Sequence, residues 1–433
     1  MKTPKFRFLS VCLSAILFFL GISGHSAPVF AFEANNPNFH EGTDSERIEK
    51  AMANAEAFGG VVRITRRVKK DANDRDFWLI DRAILIPGNT TLILENCVVK
   101  LSNSARDNLI RSANCGLGIE WPEEIRNVHI MGIGHAELQG ADDPRSTGDS
   151  QKVLGVRSYG TDAGKEGESQ YGDWRNIGVL LACVRDFSIT GITIRESHCW
   201  GISLEKCSFG QIRNITFFST EQRTINGKPE MTRNQDGLDL RKGCHDILID
   251  TLHGYTGDDL IALTAIGTTL RPGGMLQKTE VSGMDALGPQ NDIWNVTVRN
   301  VFGHSHGGHQ IVRILNASGI KIHHITIDGV MDTSPAEITD RATVKIGDVV
   351  PSFGGRAPLG DTYAIIVNNV HTKAHLGVVV LGSLCDSVIS NVVNLNPNTT
   401  GVSFQWDGNT TSDPNQAGNA RNVKVYGVVD PMK

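Results

Sequence analysis

Aromatic residues, clustered positive charge and long apolar stretches are all scarce in this chain. Phe, Trp and Tyr make up 6% of its 433 residues, and the formal net charge is −5 without any basic run. Because phosphate groups are bound by clustered Lys and Arg, this balance argues against nucleic acid as a partner. After the N-terminal segment, no apolar run is long enough to span a membrane. We therefore expect neither nucleic acid nor a membrane as the partner of the mature chain.

The N-terminal segment has the composition of an export signal. A positively charged start precedes an apolar run from Phe8 to about Ile22, and small residues follow up to Ala31. The apolar core is short for a membrane span, which favours a secretory signal peptide over residues 1–31 rather than an uncleaved anchor. The sequence therefore predicts a secreted or periplasmic protein with a mature region of residues 32–433.

Cysteine spacing gives no indication of a metal cluster. Seven of the eight cysteines follow the predicted signal, and no two of them have the C-x-x-C spacing of a zinc site. A disulfide between Cys199 and Cys207 is one interpretation, and buried thiols stacked inside the fold are the other. We expect neither a metal nor a cofactor.

Short strand-like runs recur along the chain from Val61 onward. Glycine is frequent at 46 residues, which suits many short strands joined by tight turns. Val179 and Ile202 are matching apolar positions 23 residues apart, and Leu238 and Leu260 lie 22 apart. Such a period indicates a parallel β-helix, an all-β solenoid, because an antiparallel sandwich does not keep one interval. Strands are predicted at 91–94, 127–130, 178–181, 187–194, 201–204, 212–217, 296–298, 320–327, 364–367 and 378–381.

One helix is predicted before the first strand. Thr43 and Glu46 have the spacing of a capping box, and Ile48 and Met52 follow at a helical interval before Gly59 ends the run. The first coil of a solenoid has no neighbour on one side, so we expect this helix to cap it. The composition does not change beyond this point, and the mature chain is predicted to form a single domain.

Three segments interrupt the regular interval, namely 140–174, 221–234 and 265–291. They are polar or Gly-rich, and insertions in solenoids tend to emerge as loops on one face. Two of them flank an acidic stretch at 233–263, which favours a cleft there. Solvated linkers are the alternative.

Three acidic residues in that stretch lie at the ends of predicted strands. Asp236 precedes Asp258 by 22 residues, about the length of one coil, and Asp259 follows directly. Equivalent positions on adjacent coils stack at about 4.8 Å, so we expect the three carboxylates on one patch. A turn at Gly257 is needed, because neighbours on an extended strand point to opposite faces. The alternative is that all three acids are only turn residues.

Crowded carboxylates suit glycoside hydrolysis. Like charges raise the pKa of one member, which keeps a carboxylic acid protonated near neutral pH. Hydrolysis of a glycosidic bond needs one protonated carboxyl for the leaving oxygen and one ionised carboxyl for water or for the anomeric carbon. The acidic stretch therefore predicts acid and base catalysis on a sugar.

The order of these motifs resembles the polygalacturonase family of glycoside hydrolases. Asn234-Gln235-Asp236-Gly237 and Gly257-Asp258-Asp259 are the specific part, and a Gly-His element followed by an Arg comes after them. The segments GGVVRI, TTLILENCVVKLS and GIGHAELQG are also similar, so the resemblance covers most of the mature chain. It implies a right-handed parallel β-helix and an inverting hydrolase. Asp258 would be the general acid, and Asp236 and Asp259 would hold and deprotonate the attacking water.

The histidine of the family is best matched by His309, with His304 and His306 as competitors. A histidine in this place is expected to hydrogen-bond an acid and to set its protonation state. With the three aspartates, His309 completes the predicted catalytic set.

The Arg-Ile-Lys motif with which the family binds a galacturonate carboxylate has no full match. Arg313-Ile314-Leu315 lacks the Lys, and Arg341 and Lys345 come in a different order. Because Arg binds a carboxylate with two parallel hydrogen bonds, this departure concerns the substrate more than hydrolysis. The predicted substrate-binding residues are Asn234, His304, Arg313, Arg341 and Lys345.

Three function classes follow. The first is a secreted hydrolase of a pectin-like or related polysaccharide. The second is a β-helical polysaccharide lyase that holds Ca²⁺ with the same acids and removes the C5 proton of a uronate. The third is a carbohydrate-binding solenoid without activity, in which replacing Asp258 changes nothing measurable.

Overall fold

The structure is a computed structural model that describes residues 34–70, 72–105, 107–116, 119, 121–142, 174–220, 222–225, 228–231, 234–265, 281, 288–316, 319–351 and 354–431. The predicted signal peptide at 1–31 lies outside the described residues, as do most of the predicted loops 140–174 and 265–291. Within the described ranges, no helix has both the length and the apolar character needed to cross a membrane.

The described chain consists mainly of short strands. In chain order the first half are β1 (Val61–Thr65), β2 (Trp78–Ile80), β3 (Ile84–Ile86), β4 (Thr90–Leu101), β5 (Ile110–Ser112), β6 (Ile125–Gln139), β7 (Val179–Ala182), β8 (Val184–Thr190), β9 (Thr193–Arg195), β10 (Ile202–Glu205), β11 (Ser208–Phe218), β12 (Gln222–Ile225) and β13 (Lys228–Met231). The second half are β14 (Leu238–Arg241), β15 (His245–Thr256), β16 (Ile261–Ala265), β17 (Ile293–Ser305), β18 (Gln310–Asn316), β19 (Ile322–Asp332), β20 (Ala342–Ile346), β21 (Thr362–Thr372), β22 (Leu376–Val380), β23 (Leu384–Asn394), β24 (Val402–Trp406), β25 (Asn409–Thr411) and β26 (Ala420–Val429). Each predicted run overlaps one of these strands.

The chain passes in turn through two long sheets, and a coil contributes strands to both of them. Sheet 1 has 13 strands along the path β1-β4-β6-β8-β11-β15-β17-β19-β21-β23-β26, with β2 and β9 pairing at its side. Sheet 2 has 11 strands in the order β3-β5-β7-β10-β14-β16-β18-β20-β22-β24-β25. Pairing is parallel in both sheets apart from the final β24–β25 hairpin. The predicted parallel β-helix is therefore confirmed.

The hydrophobic core lies between the sheets and repeats coil by coil. Inward residues of sheet 2 stack in register as Val179, Ile202, Leu238, Ile261, Val312, Val344, Val378 and Val402. All of them are buried in one continuous cluster. Burying such a row removes apolar area from water at every coil, which stabilises the solenoid.

The predicted interval is confirmed at Val179 and Ile202 but is wrong by one residue farther along. Leu238 pairs with Ile261 and not with Leu260, so this coil also has 23 residues. A shift of one residue exchanges the two faces of a strand. As a result Ile261 belongs to the core cluster, and Ala262 faces outward at a cavity.

From β8 onward, a left-handed backbone recurs along sheet 1 at pairs of positions five residues apart, such as Asp246 and Thr251 of β15, and the chain bends at the second position of each pair. The residues at the second position align across the coils as Gly191, Asn214, Thr251, Asn300, Gly329, Asn369, Asn391 and Gly427. Gly and Asn adopt this conformation most readily, which explains seven of the eight positions. The aligned bends turn every coil at the same corner, so that sheet 2 closes the solenoid.

The predicted N-terminal helix is confirmed as α1 (Asp44–Ala53). Thr43 and Glu46 form the complete capping box, and Ile48 and Met52 are buried in the core cluster. The helix ends before the predicted stop, and a 3₁₀ turn at Glu56–Phe58 fills the interval. Other 3₁₀ turns lie at Pro37–Phe39, Trp174–Asn176, Pro289–Asn291 and Pro414–Gln416.

Two further predictions can be compared with the structure. The predicted loop at 221–234 contains an antiparallel hairpin formed by β12 and β13, so the loop prediction is wrong for those strands. The seven cysteines after residue 31 are free thiols and six of them are buried, so the interpretation as buried thiols is confirmed and the disulfide between Cys199 and Cys207 is not formed.

Replacement of one inward leucine tests the stacked core. Leu240 is fully buried between Leu204 and Leu263 of the neighbouring coils. We expect Leu240→Ala to lower the free energy of unfolding by about 2–5 kcal/mol, because the residual cavity is not refilled. Urea unfolding followed by circular dichroism measures the change. Met331→Ala, at a side chain that is 39% exposed, is the control, and an equal effect of both would contradict the assigned core.

Candidate active site

A cavity of about 300 Å³ lies on the outer side of sheet 2, over strands β14, β16, β18 and β20. Its lining includes Asp236, Asp258 and Asp259, the three acids that the sequence singles out. One carboxylate oxygen from each of them lies within 4.8 Å of the others. The three carboxylates therefore converge on a single patch, as predicted.

The register shows how two of these acids come together. Leu238 of β14 pairs with Ile261 of β16, and the N–H of Gly237 donates to the carbonyl oxygen of Asp259 at 2.9 Å. Asp236 and Asp259 are therefore equivalent positions of adjacent coils. The interval of 22 residues in the sequence had instead predicted Asp258 as the residue equivalent to Asp236.

Asp258 reaches the cavity because the chain bends between β15 and β16. The N–H groups of Gly257 and Asp258 both donate to the carbonyl oxygen of Gln235, at 3.1 and 3.2 Å. The hydroxyl of Thr256 donates to the carbonyl oxygen of Asp258 at 2.8 Å. This bend lets two consecutive side chains face one cavity, as expected for a turn at Gly257.

Burial and mutual repulsion change the acidity of the cluster. Burial, followed by the charges of Asp239, Asp258 and Asp259, raises the pKa of Asp236 well above its ordinary value. Burial and the charge of Asp259 raise the pKa of Asp258 to about 6, although His309 and Arg313 oppose the shift. The side chain of Asp258 is still 22% exposed, so its proton can reach a bound molecule. Asp258 is therefore half protonated near pH 6.

Arg313 connects the acidic cluster to a second set of charges. Its guanidinium donates to Oδ2 of Asp259 at 3.1 Å and to Oδ2 of Asp348 at 2.8 Å. Burial opposes the charged guanidinium, but the two carboxylates outweigh burial and raise the pKa of Arg313. Lys345 donates to the same oxygen of Asp348 at 2.7 Å. Arg313 is therefore held as a cation directly beside the acids.

The predicted histidine lies beside the most exposed acid. Nδ1 of His309 is 3.4 Å from Oδ1 of Asp258. The N–H of His309 donates to the hydroxyl of Ser305 at 2.9 Å, and its carbonyl oxygen accepts from the N–H of Arg341 at 2.9 Å. These backbone contacts hold the ring close to the carboxyl of Asp258.

The remaining predicted residues divide into two groups. Asn234, Arg313, Arg341 and Lys345 line the cavity. His304 is missing from the described lining, and its ring packs on Tyr255 with centroids 5.5 Å apart, within 3.3 Å of the Thr333 hydroxyl. No described contact of His304 with the cavity therefore supports its predicted role in substrate binding.

Sequence reasoning did not single out two acids that line the cavity, Asp239 and Asp348. Asp239 alternates with the inward Leu238 and Leu240, a pattern from which its outward position could have been read. Asp348 lies in the loop after β20, and no interval in the sequence connects it to Arg313. Burial is the main cause that raises the pKa of Asp239 well above its ordinary value.

Solved structures resemble this chain in fold. No known family model matches it, and neither does any curated protein sequence. The polygalacturonase of Erwinia carotovora ssp. carotovora is 13% identical, with 91% of this chain and 93% of that chain aligned at a TM-score of 0.50. The family 28 exopolygalacturonase of Yersinia enterocolitica is 13% identical over 92% and 79% of the two chains, with a TM-score of 0.42. The surface adhesin PfbA of Streptococcus pneumoniae is 10% identical over 89% and 87%, with a TM-score of 0.44. The chain has the right-handed parallel β-helix fold in which the Erwinia polygalacturonase is also built.

Proposed function

We propose that the protein is a glycoside hydrolase that binds a polysaccharide or oligosaccharide in the cavity on sheet 2. The observation that carries this proposal is the convergence of Asp236, Asp258 and Asp259 within 4.8 Å. One of them has a pKa of about 6 and a partly exposed side chain. Glycosidic bonds are cleaved by such a combination of a protonated and an ionised carboxyl group.

Asp258 is the general acid in this proposal. A proton donor must hold its proton near the working pH and must reach the leaving oxygen. Asp258 meets both conditions, because its pKa is about 6 and its side chain is the most exposed of the three. His309 contributes by position, since its charge when protonated lowers the pKa of Asp258.

Asp236 and Asp259 are assigned to the attacking water. The N–H of Gln310 donates to Oδ1 of Asp259 at 3.0 Å and Arg313 donates to Oδ2, which holds that carboxylate in place. One oxygen of each carboxylate lies within 4.8 Å of the others, which is closer than the separation of about 6.5–9.5 Å usual for one acid and one base in inverting enzymes. A water held by two carboxylates beside the acid does not have to fit between acid and base, so we propose inversion.

A calcium-dependent lyase is the second candidate, and the same acid spacing favours it. Three carboxylate oxygens within 4.8 Å can coordinate a cation. Against it, Arg313 already occupies Oδ2 of Asp259, and burial raises the pKa of both Asp236 and Asp258. A calcium site needs these carboxyl groups ionised, so hydrolysis without a metal fits the cluster better.

Loss of the proton donor should abolish turnover and leave binding intact. We expect Asp258→Asn to lower kcat by about 10²–10⁴, the usual contribution of general acid catalysis, with a small change in KM. In the native protein kcat/KM should fall as the pH rises above about 6, because Asp258 then loses its proton. Reducing-sugar release from a panel of pectic and neutral polysaccharides gives both values.

The matched control is Asp246→Asn. Asp246 also lies beside a histidine, with Oδ2 2.7 Å from Nδ1 of His245, but it is not part of the cavity. Its replacement should leave kcat unchanged. If Asp258→Asn behaves like this control, the hydrolase proposal is wrong and the binding solenoid without activity is favoured.

Removal of the neighbouring histidine should make Asp258 a weaker acid. His309→Gln eliminates a charge that lowers the pKa of Asp258, so we expect this pKa to rise above about 6. The alkaline limb of the rate profile should shift to higher pH with it. Carboxyl ¹³C NMR titration, with the resonance assigned from Asp258→Asn, measures the change. His245→Gln is the control, and a pKa that stays or falls in His309→Gln would contradict the contact.

The products should show inversion at the anomeric carbon. ¹H NMR during the first turnovers is expected to reveal the anomer opposite to that of the substrate linkage, because water attacks from the side of Asp236 and Asp259. Retention would instead make one of these acids a nucleophile. A lyase would instead form an unsaturated uronide, which absorbs in the ultraviolet. If this absorbance develops and a chelator prevents it, the lyase candidate is favoured over hydrolysis.

A further inference from the structure

Two cations that are far apart in the sequence lie side by side in the cavity. Arg313 of β18 and Lys345 of β20 are direct neighbours across the parallel ladder, and both line the cavity. The resemblance assigned an Arg and a Lys to the carboxylate of a galacturonate unit. Stacking of the coils thus rebuilds the pair that the linear motif had lost.

This pair is already bound to a carboxylate of the protein. Oδ2 of Asp348 accepts hydrogen bonds from Arg313 at 2.8 Å and from Lys345 at 2.7 Å. Its Oδ1 accepts from the N–H groups of Val349 and Val350 at 2.8 and 3.1 Å. The Asp348 side chain is 2% exposed, against 15% and 16% for the two cations. These four contacts fix the carboxylate against both cations.

The local charges cancel. Arg313 contacts Asp259 as well as Asp348, so two cations face two carboxylates. Burial works against an ionised Asp348, but its hydrogen bond with Lys345 and the charges of Lys345 and Arg313 outweigh burial and lower its pKa. A uronate would have to displace a buried, fixed carboxylate or lie against it as a like charge. Either is unfavourable, because a buried carboxylate without its partners is strongly destabilised.

We propose that the sugar unit bound against Arg313 and Lys345 carries no carboxylate, so that the substrate is a neutral glycan at this position. The inference rests on the proposed hydrolase function and specifies its substrate class. In this proposal the sugar unit beside Arg313 and Lys345 is recognised through its hydroxyl groups. Asp348 therefore acts as a specificity-determining residue by standing where a substrate carboxylate would be bound.

Arg341 also lines the cavity. It lies directly before β20 and is exposed, so that water and salt screen its charge. A charge in that position contributes little to selecting a uronate. Replacement of Arg341 serves as a separate arm of the test.

The test compares sugars that differ only in the carboxyl group. Native protein is offered a uronic acid polymer and the same polymer after chemical reduction of its carboxyl groups, for example galacturonan and the galactan made from it. Oligosaccharides of each pair are titrated calorimetrically and hydrolysis is followed in parallel. We expect the neutral member to be preferred at least about tenfold in binding, as like charges in contact oppose the uronate.

Asp348→Asn keeps the shape and removes the charge. It should raise the affinity for the uronate member relative to the neutral one about tenfold. The reason is that Arg313 and Lys345 lose a negative partner and so attract the carboxylate of the ligand. Asp386→Asn removes an exposed carboxylate that contacts Asn422 outside the cavity and should leave the ratio unchanged. Arg341→Gln should also leave the neutral preference intact.

The outcomes separate this inference from the proposed function. A native protein that prefers the uronate member, or an unchanged ratio in Asp348→Asn, overturns the neutral-glycan inference while hydrolysis stands. A neutral preference in binding without hydrolysis supports this inference and counts against the enzyme. Binding of neither member of any pair overturns both.

Discussion

Parallel hydrogen bonding between successive coils is the constraint on which the cavity depends. The pairing of Leu238 with Ile261 decides which side chains of β14 and β16 enter the core and which face outward. Because the faces of a strand alternate, the same register that buries the leucines places Asp239 and Ala262 at the cavity. A register shifted by one residue would turn leucines toward the cavity and bury carboxylates. Core packing and the chemistry of the site therefore follow from a single set of backbone contacts.

The second determinant is the balance of charge within a small buried volume. Asp236, Asp239 and Asp258 all have raised pKa values because burial and neighbouring charges disfavour their ionised forms. The cluster is tolerated because Arg313 bridges it to Asp348. Groups that repel each other in this way lower stability, and rigid coils on both sides are needed to keep them in place. The solenoid supplies that rigidity, since Asp239 lies within a strand of sheet 2 and Asp236 and Asp258 lie just before such strands.

Short-range patterns predicted the fold and the acids well. The apolar interval of about one coil, the capping box at Thr43 and the grouping of Asp236 with Asp258 and Asp259 all depend on residues near in sequence. The register of β16 was missed because Leu260 and Ile261 are both apolar and both fit the pattern. The association of Arg313, Lys345 and Asp348 was missed for another reason. Arg313 and Lys345 pair across coils 32 residues apart, so the regular interval does not predict them.

The corners of the coil differ in how much extra chain they accept. Between Asp236 and Asp259 the path uses one coil of regular length, whereas the N–H of Gln310 reaches Asp259 from 51 residues farther along. The added chain follows β16 and leaves β16 and β18 in register, so the connection from β16 to β17 accommodates more residues than a regular coil has. Segments of different length can therefore be placed between β16 and β17 while the strands on either side of the acids keep their pairing. The tight bend at Gly257 offers no comparable freedom, because one added residue would rotate the carboxylates away from each other.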